Sequence, residues 1–328
     1  MTTTADLTVE GELPDLDGAT AWLNSAPLTR AGLGGRVVVA QFCTFSCINW
    51  LRTVPYVRAW AEKYRDDGLV VLGVHSPEFP FEHDLDKIRA ALDGIGIVHP
   101  IAVDNDFAVW RAFDNAYWPA LYFADATGRI RHHHFGEEDY ERSERVIQQL
   151  LAEAGANRVD EGLVTVEPGG VFLCADWDAL GSPETYVGYA RATGFASPGG
   201  LAPDRSRAYT EPPRLRLNHW ALSGAWTVGE QIATSAEPGG RIVHRFLARD
   251  VNLVLGYRDG AGPVRFRVML DGKPPRGAHG LDVDEHGAGT VTEERLYQLV
   301  RGPGAVVERT VEITFLDAGA QAYVFTFG

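Results

Sequence analysis

The spacing of apolar and polar positions changes character about halfway along the chain. In the first half, apolar runs of strand length alternate with stretches of helical period. Val37-Val38-Val39-Ala40-Gln41-Phe42 is short, rich in β-branched residues and almost wholly apolar, the pattern of a strand buried on both faces. Residues 51–60 have helical spacing, 68–75 is a second apolar strand, and 84–92 is a helix with Asp86, Lys87 and Arg89 on its wet side. A third strand follows at 97–104 and another helix at 106–113. Residues 117–125 and 128–135 read as strands joined through Ala126-Thr127-Gly128, a hairpin signal, and 143–154 is an amphipathic helix. Ahead of all these, 1–34 is a polar lead-in with one short helix at 19–23. Strands alternating with helices and closing on a hairpin predict an α/β layer fold around a central sheet.

From residue 184 the helical period disappears. Short runs at 222–228, 241–246, 251–257, 264–270, 295–299, 310–315 and 322–327 alternate with turns such as Arg258-Asp259-Gly260 and Leu270-Asp271-Gly272, which predicts an all-β sandwich. Between the halves, 156–183 mixes Gly, Pro and acids and reads as a linker with an edge strand near 163–174, where Cys174 is a small apolar filler. The expected division is therefore 1–155, a linker, and 184–328.

Composition narrows the function. A chain of 328 residues, 45% of them hydrophobic, can bury two cores. Its net charge of −14 lacks the clustered cations that nucleic-acid binding needs. No apolar run is long enough to span a bilayer, and Met1–Leu7 has neither the basic nor the apolar region of a secretory signal. The expectation is a cytoplasmic protein with reduced thiols, since three cysteines are too few for a disulfide scaffold.

Two of those cysteines lie in one turn, Cys43-Thr44-Phe45-Ser46-Cys47-Ile48-Asn49-Trp50, between the 37–42 strand and the following helix. A thiol at a helix N-terminus meets unpaired N–H groups and the positive end of the dipole, which favour thiolate. Cys47 is thus the candidate nucleophile and Cys43 its candidate partner. A fully extended 43–47 segment would span about 13 Å, beyond the roughly 4.4–6.8 Å between Cα atoms that a disulfide allows. A bent turn would bring the pair into range, and a buried Cys43 that merely fills space is the alternative.

These segments carry a resemblance. The cysteine turn, Gly-Val-His-Ser-Pro-Glu-Phe at 73–79, Tyr-Trp-Pro-Ala at 117–120, Asp-Ala-Thr-Gly at 125–128 and Phe-Gly-Glu-Glu-Asp-Tyr at 135–140 resemble the thioredoxin-like, TlpA-like domain of DipZ-type proteins. The second half resembles their carbohydrate-binding-module-like, jelly-roll-like sandwich through Pro-Glu-Thr-Tyr-Val-Gly-Tyr (183–189), Leu-x-Gly-x-Trp (222–226), Asp271-Gly272-Lys273-Pro274 and the closing Phe-Thr-Phe-Gly. The resemblance does not extend to the membrane electron-transfer half of DipZ-type proteins, and the expectation is that it is missing. The resemblance implies that Cys47 is the nucleophile, that Pro119 is a cis-proline exposing the Trp118 backbone to a bound thiol substrate, and that Glu78 is a half-buried carboxylate able to relay the cysteine proton. It also exposes a departure: the second cysteine of the family's Cys-x-x-Cys is Trp50, and Cys43 stands where that family has tryptophan.

That departure leaves several chemistries open. Cys43 and Cys47 could cycle as a redox pair, drawing on an external reductant. Thr44-x-x-Cys47 resembles the core of peroxiredoxins, which implies peroxide reduction through a sulfenic acid. Cys43-x-x-x-Cys47 resembles Sco-like copper proteins, which implies Cu(I) held by two soft thiolates, with His134 of the 132–134 histidine run as a substitute third ligand. A non-catalytic binding protein, using the sandwich for a protein or glycan partner or as a dimer face, is the remaining reading. Tyr186, Tyr189, Trp220 and Trp226 are the candidate stacking platforms, with burial in the sandwich core the preferred assignment for them.

Overall fold

The computed structural model describes residues 7–156 and 159–328, and the chain divides into two units, Met1–Phe172 and Leu173–Gly328. The first contains strands β1 (Gly11–Glu12), β2 (Ala21–Leu23), β3 (Val37–Cys43), β4 (Leu69–His75), β5 (Ile101–Val103), β6 (Ala120–Ala124) and β7 (Arg129–Phe135). Its helices are α1 (Ile48–Lys63), α2 (Leu85–Gly94), α3 (Ala108–Ala112) and α4 (Tyr140–Glu153). The strands form one sheet in the order β1-β7-β6-β3-β4-β5-β2, with β3 parallel to β4 and antiparallel to β6.

Every residue of β3 is buried, as its apolar run demands. Alternate side chains serve two cores: Val37 and Val39 face Trp60 of α1 and Ile147 and Leu150 of α4, while Val38, Ala40 and Phe42 face Val109, Phe113 and Tyr122. A strand so enclosed takes the centre of the sheet, and its C-terminal end delivers Cys43 and the following turn to one rim.

The expected helix at 19–23 is instead an edge strand. Ala21 to Leu23 pair antiparallel with Ile101 to Val103, and Thr20 donates both its amide and its hydroxyl to Val103 O. Five residues cannot sustain a helix alone, and an unpaired sheet edge beside them supplies the hydrogen bonds. The third strand is also shorter than expected, since Ile97 to Pro100 approach it as irregular chain.

The stretch read as linker is partly bound to the first unit. Val164 N donates to both Glu144 carboxylate oxygens, Gln148 donates to Asp160 O and Gly162 O, and a short turn at Gly170–Phe172 packs on α1. No edge strand forms at 163–174, and Cys174 is half-buried rather than a core filler.

The second unit is the expected all-β sandwich. Its strands are β8 (Thr185–Tyr186), β9 (Ser206–Tyr209), β10 (Trp220–Val228), β11 (Ala233–Ser235), β12 (Arg241–Leu247), β13 (Asp250–Tyr257), β14 (Val264–Leu270), β15 (Ala288–Val291), β16 (Arg295–Arg301), β17 (Glu308–Phe315) and β18 (Ala320–Phe327). The pairing runs β15-β14-β17-β12-β10-β11-β18-β13-β16; β10 belongs to both layers, pairing with β12 on one and with β9 and β11 on the other. Trp220 and Trp226 are fully buried and their indole N–H groups donate to Thr193 O and Ser223 O, so both are core residues. Tyr186 lies under the Arg191 guanidinium, 3.4 Å from its ring centre, and the Tyr189 hydroxyl donates to Asp204.

Candidate active site

Cys47 is the N-cap of α1. Its backbone is extended (φ −77°, ψ 115°), its carbonyl accepts the first helical bond from Leu51 N at 3.0 Å, and its own amide donates to Thr44 O at 3.1 Å. A hydrogen bond thus closes the 44–47 turn, which is handed directly to a 16-residue helix with the positive end of its dipole at this residue. From Gln41 to Trp50 every residue but Cys47 and Asn49 is buried.

Cys43 is the opposite case. It ends β3 with 1% exposure, its thiol donates to Val74 O at 3.5 Å, and burial, reinforced by the charge of Glu82, pushes its pKa far up. It is therefore a neutral thiol in a sealed layer. All three cysteines carry thiols here. Trp50, at the position of the missing second cysteine, is 1% exposed, and its indole nitrogen has no hydrogen-bond partner. Thr44 is wholly buried as well.

Beside Cys43, in register across the parallel pair, stands His75 at the end of β4. It is fully buried, stacks on Phe45 (5.8 Å, 21°), and neither ring nitrogen has a partner. Desolvation lowers its pKa to about 3, so it is neutral at physiological pH. His99, lowered to about 4, and His244 of the second unit, lowered to about 3, share that cause. A histidine held neutral binds protons more readily when unfolded, so its contribution to stability is whole above the unfolded pKa near 6.5 and is lost as pH falls toward the folded value. Between pH 6.5 and 4.5 each should contribute a slope of up to about 1.4 kcal/mol per pH unit. Denaturant titrations at pH 7.5 and 5.0 should show that loss, and His75→Gln should reduce the slope for the first unit. Glu82, whose carboxyl is raised by burial, acts in the opposite direction.

Glu82 is the carboxylate the sequence reading did not single out. It sits on a short 3-10 turn, Pro80–His83, and is 0% exposed. Oε1 accepts from Ser46 N (3.2 Å) and Ser46 Oγ (2.6 Å); Oε2 accepts from Glu78 N (2.7 Å) and Phe79 N (2.9 Å). One buried group thus ties the residue before Cys47 to the loop after β4. Glu78, the residue expected in this role, is half-buried and contributes its amide to that clamp. A proline opening a turn with glutamate two positions later is a capping signal that would have indicated Glu82.

The opposite wall is built from the 117–119 loop. The Trp118–Pro119 bond is cis. Trp118 Nε1 donates to Ser76 O (3.1 Å), and its ring lies 4.3 Å from that of Trp110. Asp104 accepts from Val109 N, Trp110 N and Ser76 Oγ, fixing α3 to the same loop. Because Phe42 pairs with Ala120, Pro119 lies one register step on, alongside Cys43. Pro119 O accepts from Gly136 N, and the next residue, Glu137, forms a buried ion pair with Arg52 of α1 at 2.8 Å. Desolvation raises the Glu137 pKa, and Arg52 opposes it. Cysteine turn, 76–82 loop, 117–119 loop and 136–137 turn are thereby joined in a closed circuit around Cys47.

His134 lies on β7 with Nε2 3.2 Å from Glu137 O, and among the described residues no three His, Cys, Asp or Glu side chains form a metal-binding group. His133 pairs with Glu10 at 2.7 Å, and burial lowers the pKa of His132. No helix among the described residues is long and apolar enough to cross a membrane.

Known proteins similar to this chain match both of its units. The thiol–disulfide oxidoreductase YkuV of Bacillus subtilis is 34% identical over 141 residues, 43% of this chain and 95% of that protein. The chain belongs to the thioredoxin-like thiol–disulfide oxidoreductase family. The DipZ proteins of Mycobacterium tuberculosis and Mycobacterium bovis are 36% identical over 323 residues, which is 97% of this chain and 43% of theirs, so the chain spans less than half of these relatives. Residues 182–328 match the family model described as thioredoxin like C-terminal domain, which places the sandwich within the same architecture. Among solved structures, a thioredoxin-like protein in its oxidised form is 35% identical, with a TM-score of 0.41, covering 44% of this chain and 96% of that one.

Proposed function

We propose that the first unit performs thiol–disulfide exchange with Cys47 as its single attacking thiol, and that a second, external thiol completes the cycle. The Cys47 thiolate attacks one sulfur of a substrate disulfide RS–SR′; the Cys47–SR bond forms, the S–S bond breaks, and R′S⁻ leaves and takes a proton from solvent. An incoming thiolate R″S⁻ then attacks the sulfur of R, forming RS–SR″ and returning Cys47 as thiolate. The observation that carries this reading is the contrast within one turn: Cys47 is half-buried at a helix N-terminus, whereas Cys43 is sealed, neutral and bonded to Val74 O. A resolving thiol must become thiolate and reach the mixed disulfide, and Cys43 meets neither requirement without movement of the turn clamped by Glu82.

The test is turnover of 2-hydroxyethyl disulfide with glutathione as the second thiol. Cys43→Ala should keep the wild-type rate within about threefold, since only packing is altered. A loss beyond tenfold, with the fold intact by circular dichroism, would make Cys43 the resolving partner.

A further inference from the structure

A cleft of about 330 Å³ opens in the first unit, at the end of the sheet away from the cysteines. Val38 lies in its floor near the start of β3, and Cys43 ends that strand, about 16 Å further on at the usual rise per residue. Leu13 and Leu33 complete the floor; all three side chains are buried and belong to the core on one face of the sheet. The walls come from the β6–β7 turn, through Thr127 and Gly128, and from the chain before β3, through Arg30 and Arg36. Ligand sites run from about 300 to 1,000 Å³ and pair an apolar lining with a few polar groups, and this cleft has that make-up at the small end of the range.

The charges around the cleft are unequally committed. Asp125 is already satisfied: Oδ1 accepts from Thr127 N, Thr127 Oγ1 and Arg129 N, while Oδ2 faces Arg129 and Arg131 at 3.0 and 3.2 Å. Arg30 Nη2 pairs with Glu12 at 2.6 Å, and the other N–H groups of that guanidinium make no hydrogen bond among the described residues. Arg36 is exposed, and its guanidinium has neither an ion pair nor a hydrogen bond among the described residues. Asp15, exposed in the same lining, is the charge that opposes any excess of anion. Two guanidiniums with open donors above a hydrocarbon floor suit an amphipathic anion, and their planar forks match a carboxylate.

We propose that this cleft binds a small monocarboxylate, with its hydrocarbon body on Leu13, Leu33 and Val38 and its carboxylate between Arg30 and Arg36. Burial of the body supplies the affinity, and the two guanidiniums select the charged end. Asp15 sets the limit at one negative charge, so a dicarboxylate of the same size is disfavoured. The site uses no cysteine and stands independently of the exchange chemistry.

Titration of the isotope-labelled full chain with 3-phenylpropionate, followed by amide NMR, tests the assignment. Saturable shifts should appear at 31–36 and 125–128, with Kd in the millimolar range expected for so small a ligand, and not at 43–50. The uncharged 3-phenylpropan-1-ol should bind about tenfold more weakly, and phenylsuccinate, with its second carboxylate, about threefold. Arg36→Ala should weaken the acid about tenfold and leave the alcohol unchanged, a difference that general damage to the fold cannot imitate. Ala31→Trp, at an exposed position in the lining, should fill the cleft and abolish binding of both. The proposal is overturned by an absence of saturable shifts up to about 50 mM, by equal affinity for acid and alcohol, or by an Arg36→Ala chain that binds the acid as well as wild type. Tighter binding of phenylsuccinate than of the monocarboxylate overturns the assignment of ligand class.

Discussion

Cys47→Ser should reduce exchange with 2-hydroxyethyl disulfide to the uncatalysed background, measured by thiol release with the fold checked by circular dichroism. The loss should be complete because neither remaining sulfur can take over. Cys43 is a thiol at 1% exposure whose proton is held by desolvation and whose sulfur donates to Val74 O. Cys174 lies in the second unit, outside the turn and without a helix N-terminus behind it. A serine hydroxyl at position 47 would feel the same dipole, but its pKa lies far above that of a thiol and it does not attack sulfur at neutral pH. Residual activity above a few per cent of wild type would mean that the reacting sulfur has been misassigned.

Glu82→Ala should destabilise the first unit by about 3 kcal/mol or more, because several buried donors then lose their acceptor at roughly 1–3 kcal/mol each. Ser46 N, Ser46 Oγ, Glu78 N and Phe79 N all point at this one carboxylate. Rotation of Ser46 and entry of water into the space vacated by the side chain keep the loss below the simple sum. Glu82→Gln should fall between, since its amide oxygen can serve one pair of donors while its NH₂ opposes the other. The measurement is the denaturant midpoint of the first unit, combined with hydrogen exchange at 44–47, where the amides should lose protection. A cost under 1 kcal/mol would show that the clamp is not what holds the cysteine turn.

How legible this was in the sequence follows from how local each feature is. The β3 run, the cysteine turn and α1 are contiguous, and their pattern placed Cys47 at the helix start directly. The sandwich strands were readable for the same reason, each being a short alternating run bounded by turn residues. Features made by distant pairs were not readable. Arg52 and Glu137 are 85 positions apart, and nothing near either shows that they meet in a buried ion pair. The 19–23 segment was misread because its conformation is decided by the open edge of β5, which supplies the hydrogen bonds. Glu78 stands out in the sequence because it lies in the family-like motif, but the 3-10 turn at Pro80–His83 carries Glu82 inward and leaves Glu78 at the surface of the clamp. The Gly- and Pro-rich stretch after 156 looked like a linker by composition, yet Glu144 and Gln148 bind its backbone.

The most direct measurement is residue-resolved mass spectrometry of the full chain after brief exposure, at pH 7, to a limiting amount of 2-hydroxyethyl disulfide. Arrangement of a half-buried sulfur at the start of α1 beside a sealed one at the end of β3 predicts a single mercaptoethanol adduct on Cys47, with Cys43 unmodified and no Cys43–Cys47 bridge. An adduct on Cys43 or Cys174 first, or a native Cys43–Cys47 disulfide as the main product, would contradict it.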